Sequence, residues 1–175
     1  MALQKIAAFS DGTQGGNPAG VWIGDALPSP ADMQRIAAEV GFSETAFAAP
    51  LGDGRWRVRY FAPESEVPFC GHATIALGAA LAQREGDGVF ALSLSQAEIT
   101  VEGRRAGDLV QAALQSPPTR SGPVPAGLLA DALALFGLSA ADLDPRIPPA
   151  LIHGGADHLS LIHISEPTRP ERSSY

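Results

Sequence analysis

The chain has 175 residues, 45% of them hydrophobic and 18% charged, with a net charge of -7. That suits one soluble domain or two small lobes and argues against nucleic acid or an anionic membrane as partner. No apolar run nears the roughly 20 residues of a membrane span, no basic-then-apolar leader opens the chain, and a single Cys excludes an internal disulfide framework, so a cytoplasmic protein is expected.

Leu3 to Phe9 reads as a first strand, with Ile6 and Phe9 as its heavier anchors, and Asp11 to Pro18 as a turn-rich loop before a short strand at Ala19 to Ile23. Ser29-Pro30-Ala31-Asp32 predicts a helix start: Ser29 as N-cap, Pro30 at the first helical position, Asp32 in the first turn. Met33, Ile36, Ala37 and Val40 follow at helical spacing, and Gly41 is placed to end the helix. Glu44 to Ala49 predicts a strand, Gly52-Asp53-Gly54 a hairpin turn, and Arg55 to Phe61 a clear alternating strand. In it Trp56, Val58 and Tyr60 face one way and Arg55, Arg57 and Arg59 the other.

Pro68 to Arg84 begins as a loop and becomes a helix of small apolar residues with almost no polar face. A helix apolar all round is buried on every side, so it predicts a central helix wrapped by strands. Its first turn, Gly71, His72 and Ala73, offers unpaired backbone N–H groups and the positive end of the helix dipole, a seat for a carboxylate. Cys70 and His72 sit at that seat; a tight packing helix with a buried Cys is the plainer alternative. Val89 to Leu94, Glu98 to Glu102 and Leu109 to Leu114 predict an antiparallel meander. Residues 116–127 read as loop, Leu128 to Phe136 as an amphipathic helix, Ser139 to Leu143 as a short second helix, and Leu151 to His153 as a strand start. Strands and helices in mixed order, many strands joined by hairpins, give an α+β class.

Three clusters carry chemistry: Gly16-Asn17-Pro18-Ala19-Gly20, Gly41-Phe42-Ser43-Glu44-Thr45-Ala46-Phe47 and Phe69-Cys70-Gly71-His72-Ala73-Thr74. Taken singly, the first is a turn, Glu44 a solvated strand-start acid, and His72 a packing residue at the helix cap. Pointed into a partly apolar cleft, Glu44 would instead give and take a proton near neutral pH. Metal binding by Cys70 and His72 needs more ligands than the neighbouring sequence supplies, so no metal is expected.

Together and in this order the clusters resemble the PhzF-like (phenazine-biosynthesis) family, which shares its fold with diaminopimelate epimerase. The resemblance is best at Ser43-Glu44-Thr45 and from Glu64 through Thr74. It implies one lobe of a two-lobed protein, a curved, mostly antiparallel sheet around a central apolar helix, with the active site between lobes. It implies cofactor-free proton shuttling on a small carboxylic acid. Glu44 takes the acid/base role, and Gly71 and His72, with Ala73 and Asn17, hold substrate. A homodimer of the full-length parent is a further expectation. In the related epimerases a Cys at the place of Cys70 is one of two catalytic thiols, and a helix N-terminus would lower the pKa of such a thiol. Two alternatives therefore remain, a thiol-dependent amino-acid epimerase or racemase lobe using Cys70, and a non-catalytic small-carboxylate binder.

Leu159 to Arg169 reads letter for letter as a translation of a common transposase sequencing adapter. Residues 159–175 are therefore expected to be non-native, the competing reading being a native Ser/Pro/Arg-rich tail. Residues 1–158 are then an N-terminal lobe, with the first strand of the crossover at its end. The second lobe, with the Asp-bearing Ala-Thr-Gly-Ser segment that would face Glu44, is expected to be absent, and the truncated chain inactive.

Overall fold

A computed structural model of the protein describes residues 3–12 and 14–162. The chain divides into two compact units, residues 1–117 and 118–175.

In the first unit, β1 (Leu3–Ser10) and β2 (Gly15–Ile23) form a hairpin, and α1 (Pro30–Val40) leads to β3 (Thr45–Gly52), which turns back as β4 (Arg55–Phe61). A two-residue β5 (Glu66–Val67) precedes α2 (Gly71–Glu85), and β6 (Gly88–Ser93), β7 (Glu98–Ala106) and β8 (Leu109–Gln115) follow. The strands form one sheet in the order β1-β2-β3-β4-β6-β7-β8, with β5 against β4. Helix α2 touches β1, β2 and β3 as well as β6, β7 and β8. A helix in contact with both ends of a sheet is one that the sheet curls around. This is the expected α+β lobe, a curved sheet about a central apolar helix.

Two pairings, β2 with β3 and β4 with β6, are parallel within the mostly antiparallel sheet that was expected. Each is bridged by a helix, since parallel neighbours need a long crossover. The two crossovers lie on opposite faces of the sheet, and period-two alternation of the strands serves both. Val21, Ala46, Ala48, Val58 and Tyr60 turn inward onto Ala73, Leu77, Ala80 and Leu81 of α2. Trp22, Phe47 and Phe61 turn outward onto Met33 and Ala37 of α1. That is why β2 and β3 each carry an unbroken buried run rather than an alternating one.

Helix α1 begins as the sequence predicts. The Ser29 hydroxyl accepts the Asp32 N–H at 3.1 Å, Pro30 opens the helix, and Gly41 closes it at φ 71°. The small residues of α2 let it approach the sheet closely. A Cβ on Gly103 of β7 would run into the Gly78 carbonyl oxygen and stand 2.7 Å from the Ala82 Cβ. Between the end strands β1 and β8, a groove of about 480 Å3 is lined by Ile6, Ile75, Ala79, Gln83 and Leu109.

Three expectations are corrected. Phe9 is no anchor: it is 72% exposed and sits inside β1 at φ 62°, a local irregularity that breaks the strand's in–out alternation. The expected loop at 11–18 is shorter, because β2 already pairs with β1 from Gly15 onward. The expected loop at 116–127 contains a strand.

That strand, β9 (Arg120–Pro123), belongs to the second unit with α3 (Ala126–Leu135), β10 (Ala150–His153) and β11 (Asp157–Ser160). They form a three-stranded antiparallel sheet with β9 at an edge, where Pro123 is tolerated. The short helix expected near Ser139 is a single turn, Ala140–Asp142, whose Asp142 carboxylate accepts from the Ser139 N–H and hydroxyl. Of the segment expected to be non-native, Leu159 and Ser160 pair with Leu151 and Ala150, while residues 163–175 lie outside the described residues. Among the described residues no helix is long and apolar enough to cross a membrane.

Candidate active site

The antiparallel β3–β4 pair places Thr45 opposite Phe61, so the start of β3 and the end of β4 share one end of the sheet. From Phe61 a short loop carrying β5 reaches the start of α2 at Gly71. Glu44, immediately before β3, and His72, in the first turn of α2, therefore meet although 28 residues apart in the chain.

Both sides are anchored by hydrogen bonds. The Gly20 N–H donates to the Glu44 carbonyl at 3.2 Å, tying Glu44 to β2. Gly20 must lack a side chain, since a Cβ there would lie 2.5 Å from the Thr45 hydroxyl oxygen. On the other side the Thr74 hydroxyl donates to the Cys70 carbonyl at 2.7 Å, and the buried Tyr60 hydroxyl stands 2.7 Å from Thr74 Oγ1. Tyr60 belongs to β4, so this chain of bonds fixes the start of α2 to the sheet.

The imidazole of His72 lies between two acidic groups. Its Nδ1 is 3.2 Å from Cys70 Sγ, while Nε2 is 3.6 Å from Glu44 Oε2 and 3.4 Å from Ser43 Oγ. The His72 side chain is 10% exposed and that of Glu44 22% exposed, so the pair is largely shielded yet reachable. Cys70 is the N-cap of α2 but makes no side-chain capping bond, so the positive end of the helix, at Gly71, His72 and Ala73, is not capped by a side-chain oxygen. A Cβ on Gly71 would meet nothing within 4 Å, so the approach to that turn is open.

The expectation that the helix N-terminus lowers the Cys70 pKa is overturned. Burial, reinforced by the negative charge of Glu44, pushes the thiol up to about 12, and the amide N–H groups of Ala73 and His72 offset only part of this. Glu44 also joins Cys70 and His72, with one potential donor atom from each within 4.8 Å of the others, a third donor that lies too far along the chain for spacing to reveal. Of the expected site residues, Glu44, Cys70, Gly71, His72 and Ala73 come together. Asn17 lies exposed on β2 opposite Ala8. Ser43 was missed as a participant, although it adjoins Glu44 in the motif.

The family model described as phenazine biosynthesis-like protein matches residues 6–169. An uncharacterized isomerase of Pseudomonas aeruginosa is 37% identical over 131 residues, which cover 74% of this chain and 49% of that one. Another from Deinococcus radiodurans is 49% identical over 79 residues, covering 45% and 26% respectively. The chain thus spans from about a quarter to half the length of these curated relatives. Among solved structures, a predicted epimerase of Pseudomonas aeruginosa superposes with a TM-score of 0.80 at 28% identity, covering 91% of this chain and 58% of that one. A phenazine biosynthesis protein of the PhzF family from Bacillus anthracis gives 0.70 at 26% identity, covering 91% and 54%. A probable proline racemase shares the fold at 13% identity, with a TM-score of 0.58. With residues 6–169 of its 175 matched by the family model, the chain belongs to the phenazine biosynthesis-like (PhzC-PhzF) family of isomerase- and epimerase-like proteins.

Proposed function

We propose that the chain is the proton-transferring half of a cofactor-independent isomerase acting on a small carboxylic acid, with Glu44 as general acid and base. One observation carries the reading: the Glu44 carboxylate lies 3.6 Å from His72, in the first turn of α2, a helix N-terminus that favours an anion. A substrate carboxylate seated on the Gly71, His72 and Ala73 N–H groups has part of its charge offset and its orientation fixed, with an adjacent C–H within reach of Glu44. Glu44 takes that proton and returns it at another carbon, while Nε2 of His72 supports the carboxylate between the two transfers. Ser43, its Oγ 3.4 Å from Nε2, helps to position the ring.

The thiol-based alternative needs Cys70 as thiolate, which burial and the neighbouring carboxylate both oppose. A second acid from the remaining length of the parent would face Glu44, so the chain alone is expected to be inactive. The test is hydrogen–deuterium exchange at carbon, read by NMR in D2O over a panel of small unsaturated and amino carboxylic acids. A full-length family member carrying this half should exchange one of them, Glu44→Gln should abolish it, and the present chain alone should show none. Exchange that survives Glu44→Gln but not Cys70→Ser would replace this reading with the thiol one; binding without exchange in the full-length protein would leave a carboxylate binder.

A further inference from the structure

We propose that Glu44, Cys70 and His72 form a binding site for one thiophilic divalent cation of the Zn2+ class. A thiol, an imidazole and a carboxylate, with one donor atom each within 4.8 Å of the others, come from the start of β3 and the start of α2, two places held by the hydrogen bonds already described. Donors around a tetrahedral zinc ion, with bonds of about 2.0–2.3 Å, stand about 3.5 Å apart. Cys70 Sγ and His72 Nδ1 are 3.2 Å apart, close to that spacing, and a Glu44 carboxylate oxygen is within 4.8 Å of a donor atom of each.

With Nδ1 on the metal, the Nε2 hydrogen faces the Ser43 hydroxyl at 3.4 Å, the outer partner that a ligating histidine normally has. A fourth position stays open to water. The mixed donor set selects the metal: Mg2+ and Ca2+ take six or more oxygens, and only one carboxylate is offered here. On binding, the Zn–S bond forms as the S–H bond breaks and its proton leaves to the buffer. Thiolate and carboxylate then neutralise the ion, which outweighs the partial positive charge of the helix N-terminus. Binding occupies Glu44 and so competes with proton transfer, but the cation site rests on the three donors and not on that chemistry.

The test is calorimetric titration of the full chain, freed of metal by a chelator, with Zn2+ alone, paired with Cd2+ as an absorbance probe. One equivalent of Zn2+ is expected, and Cd2+ should give a thiolate-to-metal charge-transfer band in the ultraviolet. Cys70→Ser should abolish the band, and Cys70→Ser and His72→Gln should each weaken Zn2+ binding about 100-fold or more. Glu44→Gln, which preserves side-chain shape, should keep the band and weaken binding about tenfold, and it stands in should circular dichroism show Cys70→Ser unfolded. His158→Gln, in the other unit, should change nothing. Absence of stoichiometric binding, absence of the Cd2+ band, or an affinity unmoved by His72→Gln and Glu44→Gln would each overturn the proposal, whatever the exchange assay shows.

Discussion

Thr45 is fully buried, and its hydroxyl oxygen has no hydrogen-bond partner among the described residues. An orphaned buried hydroxyl carries its desolvation cost without return, so Thr45→Val should leave stability unchanged or raise it by about 1 kcal/mol, read as the midpoint of urea unfolding. Thr74 is the opposite case. Its hydroxyl serves both the Cys70 carbonyl and the Tyr60 hydroxyl, and burial pushes the Tyr60 phenol above its usual pKa. Thr74→Val strands a buried phenol and should cost about 1–3 kcal/mol, whereas Tyr60→Phe leaves Thr74 bonded to Cys70 and should cost about 1 kcal/mol. Equal losses in the two variants would mean that the chain of bonds does not anchor the helix.

The contact of α2 with β7 depends on two facing glycines, Gly78 and Gly103. A methyl group at Gly103 meets helix backbone, which cannot swing aside as a side chain would. Gly103→Ala should therefore cost about 3 kcal/mol, at the upper end for overpacking. Gly88→Ala in β6, where the nearest atom to a Cβ is 3.9 Å away, should be close to neutral. Unfolding curves of the two variants side by side make the comparison. At this scale the sequence was informative where one element speaks for itself. Ser29, Pro30 and Gly41 mark the ends of α1, the Arg/apolar alternation marks β4, and the missing polar face marks α2 as central. It was silent where two elements decide together. The parallel pairings of β2 with β3 and β4 with β6 follow from which face each crossover helix covers, and neither helix states that alone. Phe9 misled because an aromatic in a strand looks like core until the break in its alternation is known. For the site, Glu44 and His72 were legible as candidates, but the Cys70 environment was not: the helix N-terminus is visible in sequence, while burial and the approach of Glu44 are not.

For the molecule as a whole, the acid limit of stability has an identifiable contributor. Arg59 grips Glu66 through two hydrogen bonds of 2.8 and 2.6 Å and holds its carboxyl below the usual carboxylate range. A depressed folded-state pKa means the stabilisation is complete above the unfolded value of about 4.3 and is lost as pH falls through the folded one. Unfolding midpoints between about pH 2 and 5 should drop more gently in Glu66→Gln than in the parent, while at pH 7 the two should differ by no more than about 1 kcal/mol, as befits a partly exposed pair. A parallel drop in both would assign the acid sensitivity to other carboxylates.

The hydrogen bonds at the two ends of the site have an evolutionary consequence. Glu44 is pinned to β2 through Gly20, and the first turn of α2 is pinned to β4 through Cys70, Thr74 and Tyr60. Since β2, β3 and β4 are adjacent rungs of one sheet, the gap between Glu44 and the first turn of α2 is a dimension of the sheet, not of any loop. Descendants of such a lobe inherit that gap unchanged. Substitutions in the residues around the pair can then accumulate while the spacing of Glu44 and His72 stays constant.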